Sequence, residues 1–235
     1  MKVGIIQSNY IPWRGYFDII DDVDLFIFYD DVQYTKNDWR NRNRLKTGNG
    51  LMWLTVPVLF KFSDKTLIQD AKISYKNHWL KNHEKSILNS YSKASFFTSY
   101  AEDLFSILNN KYVTISELNV DIIKWIMQKL NIKTETIMSS AVTNVGIKTA
   151  RLINILKEVG ATSYLTGPSA KNYHDVEKFQ EAGIGLEYKV YEYKEYPQLY
   201  GGFVPQVSVL DLLFNCGENS RKYLKSLRPN EKDLL

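Results

Sequence analysis

The sequence predicts an α/β fold: a mostly parallel, Rossmann-like sheet with a helical insertion. Three observations predict it. Short apolar runs that read as buried strands alternate with helical patterns at both ends of the chain. The apolar period shifts to that of helices across the middle third. The first apolar run leads straight into a polar and aromatic loop and then a helix start. The parts fall at residues 1–76, 77–132 and 133–235, the outer two forming one discontinuous sheet domain around the insertion.

Each element has its own reason. Val3 to Ile6 is apolar or small and short enough for a buried strand. Gln7, Ser8 and Asn9 then precede Pro12, Trp13 and Gly15, and the helical pattern begins at Phe17. In an open α/β sheet the loop at the carboxyl end of the first strand is where ligands bind. Asp24 to Tyr29 is a second strand, and Leu51 to Val56 a third, closed by Pro57. Lys61 to Lys65 reads as a loop and Asp70 to Ser74 as a short edge strand. From Asn77, a plausible N-cap, Trp79, Leu80, His83, Ile87 and Tyr91 recur at helical spacing. Phe96 to Leu108 and Ile115 to Leu130 make two further helices, with Ser116 as a candidate cap. The sheet pattern resumes with strands at Thr134–Ser140, Ser163–Leu165 and Leu186–Tyr193, separated by helices at Lys148–Val159 and Val176–Ala182. Gly160 and Gly183 stop those two helices. Helices at Ser208–Phe214 and Ser220–Leu227 close the chain.

Composition narrows the class. With 235 residues, 44% hydrophobic and 24% charged, the chain has ample material for a folded core. A net charge of +4 without a dense Lys/Arg block argues against a nucleic-acid-binding arm and suits a phosphate-bearing small molecule. The single Cys216 excludes an internal disulfide and a cysteine-rich metal site. No signal peptide or long apolar run is visible, so the expectation is a cytoplasmic protein without membrane insertion.

The residues that could carry chemistry each have a second, structural reading. Trp13, Gly15 and Tyr16 form either a stacking floor for a base or sugar ring or an aromatic plug behind the first helix. Arg40, Arg42 and Arg44 alternate with Asn41 and Asn43 after Trp39. In an extended segment the arginines share one face and the asparagines the other. Arginine's planar fork grips phosphate in two places, so this stretch is the best candidate for anion recognition. Asp30, adjacent to Asp31 at the end of the second strand, is a candidate base; its alternative is a turn cap. His83 shares a helical face with Trp79 and Ile87 and is a candidate general base or a hydrogen-bonded structural residue. Thr166-Gly167-Pro168-Ser169 lies between a strand and a helix, where backbone N–H groups could cradle a phosphate. Ser208 and Asp211 head an apolar helix as possible site residues. No residue set has the spacing of a metal site.

These blocks resemble the WbqC-like protein family nearly end to end. Gln7, Tyr10, Pro12, Trp13, Gly15 and Tyr16 look like its opening signature, with Ser8 standing where the family usually has Pro. Tyr29, Asp30, Gln33, Trp39, Asn41, Arg42 and Asn43 resemble its second block, and Trp79 and His83 its helical segment. Gly167, Pro168, Ser169, Tyr173 and Asp175 match its strand–loop–helix, and Pro205, Ser208 and Asp211 to Asn215 its last block. Outside these blocks, the candidate substrate-binding set also takes in Asn9, Arg40 and Thr166.

The family is found among bacterial surface-polysaccharide and O-antigen genes. The resemblance therefore implies a nucleotide-sugar or glycan substrate; the expected enzyme acts on a nucleotide-linked amino sugar, by acyl or aminoacyl transfer. Arg40, Arg42 and the Thr166–Ser169 loop would hold the diphosphate, Trp13 and Tyr16 would stack, and His83 or Asp30 would take the proton. The partner expected is a nucleotide sugar, the cofactor either an acyl donor or ATP with Mg²⁺, and a homodimer is compatible. Two alternatives stay open. Trp13-Arg14-Gly15-Tyr16 is similar in position to the His-x-Gly-His signature of nucleotidylyltransferases, with aromatics in place of both histidines, so ATP-dependent nucleotidyl transfer or adenylate-forming ligation is one. A non-catalytic sugar-nucleotide-binding module is the other.

Overall fold

The computed structural model describes residues 1–61, 65–142, 145–172 and 174–233. Part of the expected Lys61–Lys65 loop, and Tyr173, lie outside the described residues. The centre is a six-stranded sheet. Its strands are β1 (Lys2–Ile6), β2 (Leu25–Phe28), β5 (Glu135–Met138), β6 (Ser163–Thr166), β7 (Gly185–Tyr188) and β8 (Glu231–Asp233). They lie in the order β5-β2-β1-β6-β7-β8, all parallel except β8, which pairs antiparallel with β7. The expected mostly parallel α/β sheet is what the chain forms.

Alternation sets the two faces of this sheet. Val3 and Ile5 of β1, with Leu25 and Ile27 of β2, join one apolar cluster; α5 (Lys148–Glu158) and α6 (Val176–Glu181) cover it with Ile153, Leu156 and Phe179. Phe26 and Phe28 point the other way, against Tyr16, Phe17 and Ile20 of α1 (Arg14–Ile20). Gly4 is needed on that face, since a Cβ there would stand 3.2 Å from the Phe26 ring. The larger cluster runs on without a break into α2 (Trp79–Tyr91), α3 (Phe97–Leu108), α4 (Ile115–Lys129) and α7 (Val209–Cys216). The helices of the middle third thus share one core with α1.

Several expected elements differ. The third expected strand belongs to a separate antiparallel hairpin, β3 (Arg42–Thr47) with β4 (Gly50–Thr55), turned at Gly48 and Asn49. Asp70–Ser74 is no strand: a 3₁₀ turn at Ile68–Asp70 is followed by isolated bridges at Lys72 and Ile73. α4 is capped by Thr114 in a capping box with Glu117, which frees the Ser116 hydroxyl to bond elsewhere. α2 begins at Trp79 without a side-chain cap, so Asn77 does not serve as one. Leu186–Tyr193 leaves the sheet after Tyr188, and residues 189 to 207 cross the molecule with no regular structure. The last expected helix is a 3₁₀ segment, Gly217–Tyr223. Among the described residues no helix is long and apolar enough to cross a membrane.

Strand order fixes where a ligand can sit. β1 lies between β2 and β6, so connections leave its carboxyl end in opposite directions from those of its neighbour. That topological switch point opens a crevice above the ends of β1 and β6.

Candidate functional site

A cavity of about 580 Å³ occupies this crevice. It brings together Gln7, Asn9, Trp13 and Tyr16 from the loop after β1 and the start of α1. Trp39 and Arg40 come to it from the segment before β3, and Thr166, Gly167 and Ser169 from the end of β6. Nine sequence-predicted residues from three separate stretches thus border one space.

Arg40 is the cation of this cavity. Its Nη1 donates to Asn9 Oδ1 and its Nη2 to Asp38 Oδ2 at 3.2 Å, while Nε has no acceptor among the described residues. Burial pushes the Asp38 carboxyl up, but Arg40, the Thr35 hydroxyl and the Trp39 N–H hold it below its ordinary range. Asp38 therefore stays charged and keeps the guanidinium in place. The Gln7 carbonyl accepts from the Tyr16 hydroxyl at 3.1 Å, leaving the Gln7 side-chain amide without a partner among the described residues. Trp13 meets Tyr191 edge-on at 4.8 Å and Tyr193 at 5.8 Å. Gly15 does not border the cavity. A Cβ on it would lie 2.3 Å from the Trp13 indole, so its lack of a side chain seats that ring.

A second cavity, of about 670 Å³, lies beyond Trp13 and Tyr191 and shares Asn9 and Trp39 with the first. Arg14 forms part of its wall, held by the carbonyls of Lys194 and Tyr223 under the rings of Tyr193 and Tyr196. Burial lowers the Arg14 pKa, while the tyrosines and Asp18 favour its charge.

Of the remaining predicted residues, Asn43 borders the second cavity, and most of the others hold the scaffold. Asp30 is wholly buried. It accepts from the Ser8 N–H at 2.8 Å, from the Ser8 hydroxyl at 2.6 Å and from the Ser116 hydroxyl. Asn119 extends this knot from α4 to Ser8 and to the Arg40 carbonyl at 2.8 Å. Burial raises the Asp30 pKa against these bonds, and no part of it borders the cavity. The expected base is a clamp on the loop.

His83 is likewise sequestered. Its Nδ1 pairs with the Tyr10 hydroxyl at 2.9 Å, the ring packs on Trp79, and burial lowers its pKa to about 4. Neither His83 nor Tyr10 reaches either cavity, because α2 packs them into the core away from the strand ends. Asn41 donates to the Val56 carbonyl, and Asn43 to those of Tyr10 and Ile11, pinning the positive-φ turn at Ile11. Gln33 is exposed in a bridge with Leu67. Ser208 caps α7 and bridges to Trp13. Asp211, also raised by burial, accepts from Tyr91 at 3.0 Å inside the core. Arg42 opens on a different concavity, beyond Trp39.

Among the polar and aromatic cavity residues, Tyr164, His174 and Tyr191 stand outside the predicted site, as does Tyr29, which the sequence offered only as part of the second family block. Tyr191 was hidden inside an expected strand, although Tyr191-Glu192-Tyr193 beside Pro197 and two glycines signals a working loop. Burial lowers the His174 pKa to about 4, so its ring is neutral at pH 7. Among the described residues no three of His, Cys, Asp and Glu stand together as metal ligands.

Residues 7–223 match the model of the WbqC-like protein family, and the chain belongs to that family. It is 45% identical over 229 residues to the uncharacterized protein Rv1507c of Mycobacterium tuberculosis, covering 97% of this chain and 99% of the relative. No solved structure matches the chain.

Proposed function

We propose that the chain is an enzyme of surface-polysaccharide biosynthesis that transfers an acyl or aminoacyl group to a nucleotide-linked amino sugar bound at the β1–β6 switch point. The observation that carries this reading is a single cleft holding a pre-oriented guanidinium, Arg40, beside the Thr166–Gly167 turn and aromatic walls. Diphosphate fits Arg40 and the Thr166–Gly167 turn, where the Tyr191 hydroxyl closes on Gly167, 3.2 Å from where a Cβ would stand. Trp13 and Trp39 offer faces and edges for the base or sugar, with Gln7 as a free amide for ring hydroxyls.

In such a transfer the sugar nitrogen attacks the acyl carbonyl carbon, forming a C–N bond as the bond to the donor's leaving group breaks. The nitrogen sheds a proton. His174 is the one imidazole bordering the cleft among the described residues and is the group placed to accept that proton, against the burial that lowers its pKa. It takes the role that His83 and Asp30 cannot fill from inside the core.

Thermal unfolding with a panel of UDP- and dTDP-amino sugars tests the reading, because only a ligand of the native state raises the melting temperature. At a hundredfold excess over Kd the gain is about 2.7 kcal/mol, or roughly 5–10 °C for a chain of this size. Arg40→Gln should abolish the shift. Absence of any shift across the panel would overturn nucleotide-sugar binding.

A further inference from the structure

The three arginines of residues 40 to 44 do not share one face, as an extended segment would place them. Arg40 and Asn41 lie in the turn before β3, which begins at Arg42, so the arginines divide between two places. Arg40 serves the switch-point cleft. Arg42 and Arg44 lie on the outer face of β3, because Asn43 is buried on the inner one. Arg44 stands opposite Trp53 of β4 in the hairpin register, and the Arg42 guanidinium lies 4.3 Å from the centre of the Trp53 ring. Trp39 leans against Trp53 at 5.6 Å between ring centres. These four residues wall a concavity of about 290 Å³, separate from the cleft but sharing Trp39 with it.

Charge and surface at this shelf are only partly spent, since Arg42 joins Arg40 in holding the Asp38 carboxyl below its ordinary range. Arg42 has no hydrogen-bond or ion-pair partner among the described residues, and Arg44 gives one side-chain bond, to the Gln206 carbonyl at 3.1 Å. The one carboxylate there, Asp38, is paired with Arg40. Trp39 and Trp53 are 41% and 43% exposed, far more than indoles need for packing alone. Stacked guanidinium groups keep their N–H edges free for phosphate oxygens, and an exposed indole pair offers its faces to a planar ring.

We propose that Trp39, Trp53, Arg42 and Arg44 form a second, independent subsite for a nucleoside diphosphate, the handle of the co-substrate. The base stacks on the indoles and the phosphates meet Arg42 and Arg44. Identification of that co-substrate as an acyl donor carrying adenosine diphosphate, as acyl-CoA does, rests on the transfer reading above. The shelf itself does not. Trp39 then stands between the two ligands, with the amino sugar on one side and the donor's nucleotide on the other.

Calorimetric titration with ADP, alone and after saturation with UDP-glucosamine, separates the two sites. ADP should bind with a stoichiometry of one whether or not UDP-glucosamine is present, and acetyl-CoA should displace it. Arg42→Gln should weaken ADP about tenfold, the loss of a charge-assisted pair, and leave UDP-glucosamine unchanged. Arg42→Lys should fall between, and Arg40→Gln should do the reverse. Trp53→Leu should weaken ADP while inorganic pyrophosphate still binds. Competition between ADP and UDP-glucosamine, no ADP binding to the wild-type protein, or an Arg42→Gln variant with unaltered ADP affinity would each overturn the subsite. If UDP-glucosamine fails to bind while ADP still needs Arg42, the shelf stands and the reading of the cleft falls.

Discussion

Asp30 and Arg40 are ten residues apart, both sit at the rim of the sheet, and they meet opposite fates. Asp30 is closed in by Ser8 and Ser116, with three donors on two oxygens and no water-facing surface. Arg40 is anchored by Asn9 and Asp38 yet keeps part of its side chain, 13% exposed, on an open cavity. Partner saturation separates architecture from recognition here better than residue type does. A charged group whose partners are all internal stabilises the fold. A charged group held by its neighbours but left with spare donors is ready for a ligand. Changes in the first set should move stability and leave binding alone, and changes in the second should do the opposite.

The hardest strike at this contrast is Asp30→Ala. It strands the Ser8 N–H and two buried hydroxyls, and should cost about 4 kcal/mol, lowering the melting temperature by about 10 °C. The partly rescuing Asp30→Asn should lose less. An Asp30→Ala protein that melts like wild type but no longer binds a nucleotide sugar would put Asp30 in the site and break the division.

His83 sharpens the same point through pH. Its folded pKa of about 4 lies below the ordinary 6.5, so the unfolded chain binds the extra proton between those values. The stability from neutral His83 is fully present above pH 6.5 and is lost as pH falls toward 4, by about 3 kcal/mol. His174 acts in the same direction, whereas the raised carboxyls of Asp30 and Asp211 oppose it. Chemical denaturation of wild type and His83→Gln across pH 4 to 7 isolates the effect: the wild-type slope should be the steeper. Equal slopes would mean that His83 titrates freely and faces solvent.

Much of this was legible in the sequence. The strand–helix alternation gave a mostly parallel sheet, and the loop after β1 falls where a ligand belongs. The alternation was readable only from Arg42 on, where β3 puts neighbours on opposite faces; Arg40 lies in the turn before the strand and parts from the other two arginines. What could not be read was which polar residues would find partners. Ser116 reaches Asp30 across 86 positions, and Tyr10 reaches His83 across 73. A catalytic histidine and a satisfied one look alike in a string of letters. Tyr191 was lost for a related reason: alternating aromatics fit a strand, and only pairing with β6 and β8 shows that the strand stops at Tyr188.

Gly15 tests the boundary between the two regions. A methyl group there meets the Trp13 indole at 2.3 Å, so Gly15→Ala should tip the ring out of its seat against Tyr191 and Tyr193. Overpacking of this kind costs about 1–3 kcal/mol. Because the displaced ring also walls both cavities, this variant should lose stability and nucleotide-sugar binding together, as read by melting and by titration. Loss of stability alone would make Trp13 a plug and nothing more.

Arg40→Gln carries the smallest expected cost to the fold and the most specific cost to function. Gln can still accept or donate near Asn9, and Asp38 keeps its bonds from the Thr35 hydroxyl and the Trp39 N–H. The Arg40–Asp38 pair lies at the edge of solvent, where one ion pair contributes only about 0–1 kcal/mol. The melting temperature should therefore shift by about 2 °C or less. Affinity for a nucleotide sugar should fall about tenfold, equivalent to 1.4 kcal/mol, since the guanidinium's bonds to phosphate have no substitute in the cleft. A collapse in stability with affinity intact would place Arg40 with Asp30 among the scaffold groups, and spare donors would no longer mark the site.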